Sequence, residues 1–169
     1  MISVTRIDYF GTGADGGDYA FLSNFYDHDG WTVEHHYQAA KTDDPHWAAK
    51  ILQSPTPAEA KKLGRLCPAR SDWDFHRVPV MRALLRIKFQ IPEMGDALVM
   101  TGEAELVEGN WWNDTYWGVS NGIGENWLGR LLMETRDMLR STTPPVVRGT
   151  AAYDALAHAM QNRLDFTQS

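Results

Sequence analysis

The stretch N-W-L-G-R-L-L-M-E-T-R-D-M-L-R, residues 126–140, carries the clearest structural pattern in the chain. Its apolar residues recur at spacings of three and four, which places them on one face of an α-helix. That face comprises Leu128, Leu131, Leu132, Thr135, Met138 and Leu139. We therefore predict a helix over 126–140 that buries this stripe. Asn126 is its expected N-cap, and Gly129 allows its first turn to pack closely.

The sequence before this helix predicts further helices and a small amount of strand. Helices are expected over 34–41, 46–53, 57–64, 74–90 and 92–102, strands over 4–10 and 104–108, and extended pieces over 21–26 and 31–33 around a turn at 27–30. Thr56 is the expected N-cap of the helix that begins at Pro57, and Gly64 its expected end. The predicted fold class is α+β, a mainly helical domain around a small β-sheet.

The longest helical pattern, over 74–90, places four apolar residues on one face: Val80, Leu84, Ile87 and Ile91. Pro79 is expected to bend this helix or to mark its start. A chain of 169 residues is expected to form one domain, here over 1–140. Pro144 and Pro145 separate that domain from a predicted C-terminal extension over 141–169, which contains a packing helix over 151–164.

Composition restricts the class of protein. A hydrophobic fraction of 43% and a charged fraction of 22% are typical of a globular domain. The lone cysteine, Cys67, permits no intramolecular disulfide, and no apolar run approaches membrane-spanning length, so we predict a cytoplasmic protein without a membrane partner. The net charge of −6 argues against general affinity for long nucleic acid. It leaves open a small phosphorylated ligand, or one modified nucleotide held by local cations.

The segment E-H-H-Y-Q-A-A-K, residues 34–41, aligns Glu34, Gln38 and Lys41 along one helical face. Such a stripe could be a solvated surface. It could also belong to a site, because the helix follows directly after W-T-V, where a strand meets a loop. The adjacent histidines, His35 and His36, point about 100° apart on a helix and lack a metal-binding motif. We predict neither a metal nor an organic cofactor.

The segment N-W-W-N-D-T-Y-W-G, residues 110–118, admits two interpretations. Its aromatics could fill a core, or they could form the wall of a ligand pocket with Asp114 as a reactive carboxylate. Its polar residues prefer turns and would cost roughly 1–3 kcal/mol each if buried without partners, so the segment is expected at a boundary with solvent. The glycine loop 122–129 follows directly and precedes a helix N-terminus, a position that favours anions. The two segments together resemble one continuous ligand loop.

An ordered series of motifs then carries a family resemblance. The series comprises F-L-S-N-F (21–25), E-H-H-Y-Q-A-A-K (34–41), P-A-E-A-K-K-L-G-R (57–65), W-D-F-H-R-V-P-V-M-R-A-L-L-R-I-K-F (73–89), L-V-E (106–108), D-T-Y-W-G (114–118) and G-I-G-E-N-W-L-G-R-L-L-M (122–133). The series resembles the NADAR (NAD and ADP-ribose related) family, which includes the YbiA-like N-glycosidases. The resemblance extends from about Phe21 to Leu139.

The resemblance implies an enzyme that hydrolyses the N-glycosidic bond between a ribose and a base or an amine. Substrates associated with the family are ribosylaminopyrimidine phosphates of riboflavin biosynthesis and ADP-ribosylated guanine, the latter also within nucleic acid. The positions that match the family motifs are Glu34, Lys41 and Asp114 for catalysis, and Asn24, Arg65, Trp73, Trp117, Gly118 and Asn126 for substrate binding. The alternative is a module that binds ADP-ribose or a related nucleotide without turnover.

Residue chemistry suggests how these groups could divide the reaction. Cleavage of a ribosyl C–N bond passes through a cationic centre at C1′, so Glu34 and Asp114 are the expected pair for stabilising it and for proton transfer. Lys41 could orient the ribose, or its amine could attack the ring-opened sugar to form a Schiff base. Trp73 and Trp117 are expected to stack on the base, and Arg65 to meet a phosphate.

Overall fold

The computed structural model describes residues 5–11 and 17–142. The helices are α1 (Val33–Ala39), α2 (Pro45–Leu52), α3 (Pro57–Leu66), α4 (Trp73–Lys88), α5 (Pro92–Met100) and α6 (Trp127–Ser141), and a 3₁₀ helix covers Gly17–Leu22. The strands are β1 (Arg6–Asp8), β2 (Glu105–Val107), β3 (Gly109–Asn110) and β4 (Val119–Ser120). The beginning of the first predicted strand, most of the loop over 11–18 and the predicted helix over 151–164 lie outside the described residues.

Helix α6 occupies the centre of the fold, as its apolar stripe predicts. It contacts β2, α4 and α5, and its residues Leu128, Leu131 and Leu132 are almost completely buried. A Cβ atom at Gly129 would overlap the carbonyl oxygen of Leu106, so the helix can lie directly against β2 only with glycine there. The predicted role of Gly129 is confirmed, and the α+β fold class is confirmed with it.

The strands form parallel pairs beside this helix. β1 pairs with β2, and Ile7 and Leu106 are partners at the buried centre of that pair. β3 pairs with β4 in a second small sheet directly downstream. A single residue, Glu108, separates β2 from β3. The chain therefore passes at residue 108 from the core, where β2 lies, toward the surface.

Helix α4 buries a wider face than its sequence pattern predicts. Its most deeply buried residues are Met81, Leu85 and Lys88, while the predicted face of Val80, Leu84 and Ile87 is only partly buried. The reason is that α4 contacts α1 on one side and α6 on the other, so its buried surface is two-sided. Pro79 lies inside the helix, exposed, and marks no boundary.

Three local predictions were wrong. The segment over 21–26 is a 3₁₀ helix followed by a turn, and Val33 already belongs to α1. Gly64 does not end α3, which continues to Leu66, although the Thr56 cap and the start at Pro57 are confirmed. Asn126 occupies the N-cap position of α6 as predicted, but it is left-handed (φ 54°) and its side chain makes no capping bond. Gly64 and the side chain of Asn126 instead contact residues that are distant in the sequence.

The turn over 27–30 is confirmed. The backbone N–H of Gly30 donates to the Asp27 carboxylate at 2.8 Å, and His28 pairs with Trp31 in an isolated antiparallel bridge. This turn sets the direction in which the chain enters α1, whose N-cap is Thr32. Among the described residues, no helix has the length and apolar character required to cross a membrane.

Lys88 is a buried cation that should make stability depend on pH. Its side chain is 1% exposed, its Nζ donates to the Ser23 carbonyl at 2.7 Å, and burial lowers its pKa to about 7. Above pH 7 the unfolded chain therefore binds more protons at this position than the folded chain does, and stability should rise with pH.

We expect Lys88→Met to remove this dependence. Between pH 7 and pH 9, the free energy of unfolding of the wild type should increase relative to the variant, on the order of 2 kcal/mol, since each pKa unit corresponds to about 1.4 kcal/mol. Urea unfolding of both proteins at pH 7, 8 and 9 measures the difference. Parallel stability curves over this range would contradict the assignment.

Candidate active site

A cavity of about 620 Å³ opens between α1, α3 and the segment over 108–117. Its volume is typical of a site for a small ligand. Six of the nine predicted site residues line it: Asn24, Glu34, Lys41, Arg65, Asp114 and Trp117. These residues come from four separate parts of the chain, and only the fold brings them together.

Glu34 is a buried carboxylate in the first turn of α1. It is 5% exposed, and its Oε1 accepts a hydrogen bond from Gln38 Nε2 at 2.7 Å. Burial raises the pKa of Glu34, while the Gln38 bond and then the charges of Lys61, Lys41 and Arg65 oppose that rise. A carboxylate in this environment is desolvated, oriented by one donor and surrounded by cations.

Gly64 explains how Gln38 reaches this position. A Cβ atom at residue 64 would overlap Gln38 Oε1 and lie 2.8 Å from its Cδ. The glycine that the sequence marks as a helix end therefore serves as the contact point between α3 and α1. Without it, Gln38 could not pack against α3 while donating to Glu34.

Lys41 lies just beyond α1 rather than within it. The helix ends at Ala39, and the Lys41 backbone N–H closes a final turn on the Gln38 carbonyl at 3.2 Å. Its side chain still lines the cavity, with Nζ 5.7 Å from the centre of the Tyr37 ring. Burial lowers the pKa of Lys41, and the Glu34 charge partly opposes that change.

Asp114 organises the aromatic segment. Its Oδ1 accepts from the backbone N–H groups of Tyr116 at 3.2 Å and Trp117 at 2.9 Å. Asn110 completes the turn, because its side chain accepts from the Asp114 N–H at 3.0 Å and donates to the Asp114 carbonyl at 2.8 Å. Asn110 and Asp114 thus form hydrogen bonds within the segment, and the turn places Trp117 at the cavity.

The aromatic residues of this segment divide between interior and surface. Trp117 packs edge-on against Tyr37, with ring centres 5.5 Å apart, and lines the cavity from the core side. Trp111 and Trp112 are 71% and 46% exposed yet also line the cavity, and the Tyr9 ring lies 5.4 Å from that of Trp111. The segment is therefore a cavity wall that continues into an exposed aromatic surface.

Three predicted binding residues lie outside the cavity lining. Trp73 contacts Tyr37 at 5.2 Å between ring centres and packs against the core. Gly118 lies against the carbonyl of Glu108, where a Cβ atom would overlap it. The Asn126 amide donates to the Leu106 carbonyl at 2.9 Å and accepts from the Glu108 N–H at 3.1 Å. Gly118 and Asn126 thus position Glu108, and Trp73 supports Tyr37.

Residues 122–125 of the glycine segment are exposed and do not line the cavity, whereas Leu128 of the same segment does. Cations on α3 stand at the cavity instead. Lys61, Lys62 and Arg65 all line it, and Lys61 also lies over the Phe25 ring at 5.5 Å. The sequence signal for this group was the i, i+4 spacing of Lys61 and Arg65, which places both on one face of the helix.

Glu108 is the carboxylate that sequence reasoning missed. It lines the cavity directly after β2, and burial, followed by the charge of Asp114, raises its pKa to about 7. The motif L-V-E contained this residue, but nothing in the local pattern distinguishes it from a solvent-facing residue at the end of a strand. Its position depends on Asn126 and Gly118, which are distant from it in the local pattern.

The two adjacent histidines have structural roles. Both ring nitrogens of buried His35 are engaged, with the Thr32 hydroxyl at 2.7 Å and the Ser54 carbonyl at 3.0 Å. The His36 ring lies 4.9 Å from that of Trp31. Within residues 5–11 and 17–142, no group of three or more His, Cys, Asp or Glu side chains is arranged to hold a metal ion.

Most of the chain matches a known protein family. Residues 12–140 match the family model of the NADAR domain. The N-glycosidase YbiA of Shigella flexneri is 40% identical over 146 residues, covering 80% of this chain and 89% of the relative. A riboflavin biosynthesis protein of Vibrio vulnificus is 38% identical over 138 residues, covering 75% of this chain and 37% of that longer protein.

A solved structure has the same fold. The NMR structure of the Escherichia coli protein YbiA superposes with a TM-score of 0.69 at 36% sequence identity, covering 83% of this chain and 88% of that one. The match therefore includes most of the described helices and strands rather than one motif.

The contact at Gly64 leads to a prediction about stability. Gly64→Ala should lower the free energy of unfolding by roughly 1–3 kcal/mol because the new methyl group overlaps Gln38. Alanine is the better helix former by about 1 kcal/mol, so helix propensity alone predicts the opposite sign. Urea unfolding distinguishes the two, with Leu66→Ala, an exposed position on the same helix, as the control.

A double-mutant cycle identifies the partner in this contact. The loss caused by Gly64→Ala should be smaller in a Gln38→Ala background, since most of the overlapping atoms are then gone. A Gly64→Ala protein as stable as the wild type would show that α1 and α3 do not meet as closely as described.

Proposed function

The chain belongs to the NADAR domain family, and we propose that it is an N-glycosidase that hydrolyses the bond between C1′ of a ribose and the nitrogen of a base or an amine. The observation that carries the proposal is the environment of Glu34. A buried carboxylate lines the cavity, held by Gln38 and faced by Lys41, Lys61 and Arg65. The names of the N-glycosidase relatives support the same reaction class.

Glu34 is the group that acts at C1′. As the C–N bond breaks, positive charge develops at C1′ and on the ring oxygen, and a fixed carboxylate nearby stabilises that charge. Because Glu34 is desolvated and already oriented by Gln38, little reorganisation is required when the charge appears. The same carboxylate can accept a proton from the water that attacks C1′.

The cavity wall supplies recognition of a base and a ribose. Trp117 and Tyr37 form an aromatic corner against which a planar base can stack. Asn24 also lines the cavity, and its Oδ1 is buried without a hydrogen-bond partner among the described residues. Buried acceptors of this kind are normally satisfied, so a ribose hydroxyl is a suitable donor to Asn24.

The cations of α3 favour a phosphorylated substrate. Lys61, Lys62 and Arg65 stand together at the cavity of a chain whose net charge is −6, so the positive potential is local. Arg65 is exposed and makes no ion pair with any described residue. We propose that these side chains bind a phosphate on the ribose, which fits a ribosylaminopyrimidine phosphate. The name of the Vibrio vulnificus relative points to the same pathway.

A second candidate substrate is ADP-ribosylated guanine. The observation in its favour is the exposed pair Trp111 and Trp112, which continues the cavity wall outward and could stack on a second ring. Incubation with ribosylaminopyrimidine phosphate, its dephosphorylated form and ADP-ribosylated guanosine, with chromatography of the released base, tests both candidates. Binding of a nucleotide without release of base would instead indicate a sensor module.

Substitution of Glu34 tests the proposed reaction centre. Glu34→Gln keeps the shape of the side chain but removes the charge, so kcat should fall by at least ~10²-fold with little change in substrate affinity, since the lost interaction belongs to the transition state. Steady-state kinetics and calorimetric binding measure the two effects. Glu105→Gln, the same change at an exposed carboxylate on β2, is the control. Equal turnover by Glu34→Gln and wild type would remove Glu34 from the reaction.

Substitution of Lys41 separates its two proposed roles. Lys41→Arg keeps the cation but cannot form a Schiff base. Retained turnover would mean that Lys41 orients the ribose. Abolished turnover, together with borohydride trapping of a sugar on Lys41 in the wild type, would mean that its amine attacks C1′. Mass spectrometry of the trapped peptide identifies the modified residue.

A further inference from the structure

Glu108 lies between β2 and β3, and several contacts hold its backbone in place. Its N–H donates to the side chain of Asn126 at 3.1 Å, and its carbonyl accepts from the Val119 N–H at 2.8 Å. A Cβ atom at Gly118 would overlap the Glu108 carbonyl and lie 3.0 Å from its Cγ. These contacts fix the backbone of Glu108 from two sides, and they therefore also fix where its side chain begins at the cavity.

The carboxyl group of Glu108 lies in surroundings that disfavour its charge. Its Oε2 is buried and has no hydrogen-bond partner within residues 5–11 and 17–142. The charged groups that face it are the carboxylates Asp114, Glu34 and Asp8, with Lys61 as the opposing cation. A carboxyl group that is desolvated and faced mainly by other carboxylates stays protonated at higher pH than an ordinary one.

We propose that Glu108 is the general acid of this site, the group that protonates the nitrogen of the leaving base. The inference rests on the proposed N-glycosidase function and extends it. A base leaves a ribose more readily when its nitrogen is protonated as the bond breaks, so the reaction requires a neutral acid beside the cavity. Glu108 lines that cavity, and no described side chain donates a hydrogen bond to its buried Oε2.

The surroundings of Glu34 and Glu108 divide the two roles. Burial raises the pKa of both groups, but at Glu34 the Gln38 amide and three cations oppose that rise, whereas at Glu108 three carboxylates add to it and only Lys61 opposes it. Two carboxyl groups that line one cavity in different electrostatic surroundings are typical of acid and base partners in enzymes.

Asp114 is less suited to the acid role. Its Oδ1 already accepts two backbone hydrogen bonds, from Tyr116 and Trp117, and is therefore engaged in holding the turn. We therefore assign Asp114 as a positioning residue that holds the Trp117 turn and adds negative charge beside Glu108.

The C1′–N bond breaks with its electron pair on nitrogen, and the proton of Glu108 is transferred to that nitrogen. The oxygen of a water molecule bonds to C1′, and one of its protons is transferred to Glu34. Glu34 then releases this proton to solvent and Glu108 regains one, so the net reaction consumes one water and yields the free base and the ribose.

The experiment measures kcat as a function of pH for wild type, Glu108→Gln and Glu108→Asp. Wild-type activity should fall as pH rises through about 7, because the acid must be protonated to act. Glu108→Gln should lose at least ~10²-fold in kcat at pH 6 and should lack this falling limb. Glu108→Asp should retain a falling limb at reduced rate, and the control Glu105→Gln should match wild type.

A leaving-group series separates acid catalysis from a structural role. A ribosyl substrate whose base carries electron-withdrawing groups needs less protonation, so Glu108→Gln should lose at least ten times less activity on it than on an ordinary base. Equal losses on both substrates, or an unchanged pH profile in Glu108→Gln, would overturn the assignment.

A measurement without turnover distinguishes failure of this inference from failure of the proposed function. The ¹³C resonance of the Glu108 carboxyl in protein labelled at glutamate, assigned by its absence in Glu108→Gln, reports protonation directly. We expect a protonated carboxyl at pH 6. An ionised Glu108 at pH 6 would overturn the acid role even in an active enzyme. A protonated Glu108 in a protein without N-ribosyl turnover would overturn the proposed function, and the catalytic assignment with it.

Discussion

The burial of one carboxylate in the first turn of a seven-residue helix is the constraint on which the site depends. Glu34 cannot leave water without a donor, and Gln38 is that donor. Gln38 can occupy its place only because Gly64 lets α3 approach α1 without a side chain between them. The cations of α3 then face the same carboxylate, so one close helix contact provides both the hydrogen bond and the positive charge.

A second set of contacts fixes the opposite side of the cavity. Gly129 brings α6 directly against β2, and this places Asn126 where its side chain bonds to Leu106 and Glu108. The left-handed conformation of Asn126, which would be unfavourable in an isolated helix, is offset by these bonds. The most strongly patterned helix of the chain therefore also positions the carboxyl group that we propose as the acid.

The two sides give a cavity with separated electrostatic environments. Cations lie on α3 beside Glu34, and carboxylates gather around Glu108. A reaction that forms a cation at one atom and needs a proton at the next is well matched to such an arrangement. The exposed Trp111 and Trp112 lie outside this division and extend the aromatic wall toward solvent.

The sequence by itself determined the helices, the buried face of α6 and the alignment of Glu34 with Gln38, because each follows from the 3.6-residue period of a local segment. Together with the ordered motifs, it also indicated the family and six residues of the cavity. Only the tertiary structure decided that Gly64 is a contact rather than a helix end, and that the side chain of Asn126 bonds to Leu106 and Glu108 rather than to the first turn of α6. It alone decided that the Glu108 carboxyl lies at the cavity with a buried Oε2 and with Asp114 nearby. In each case the role of the residue depends on a partner distant in the chain, and a local pattern contains no information about which distant surfaces will meet.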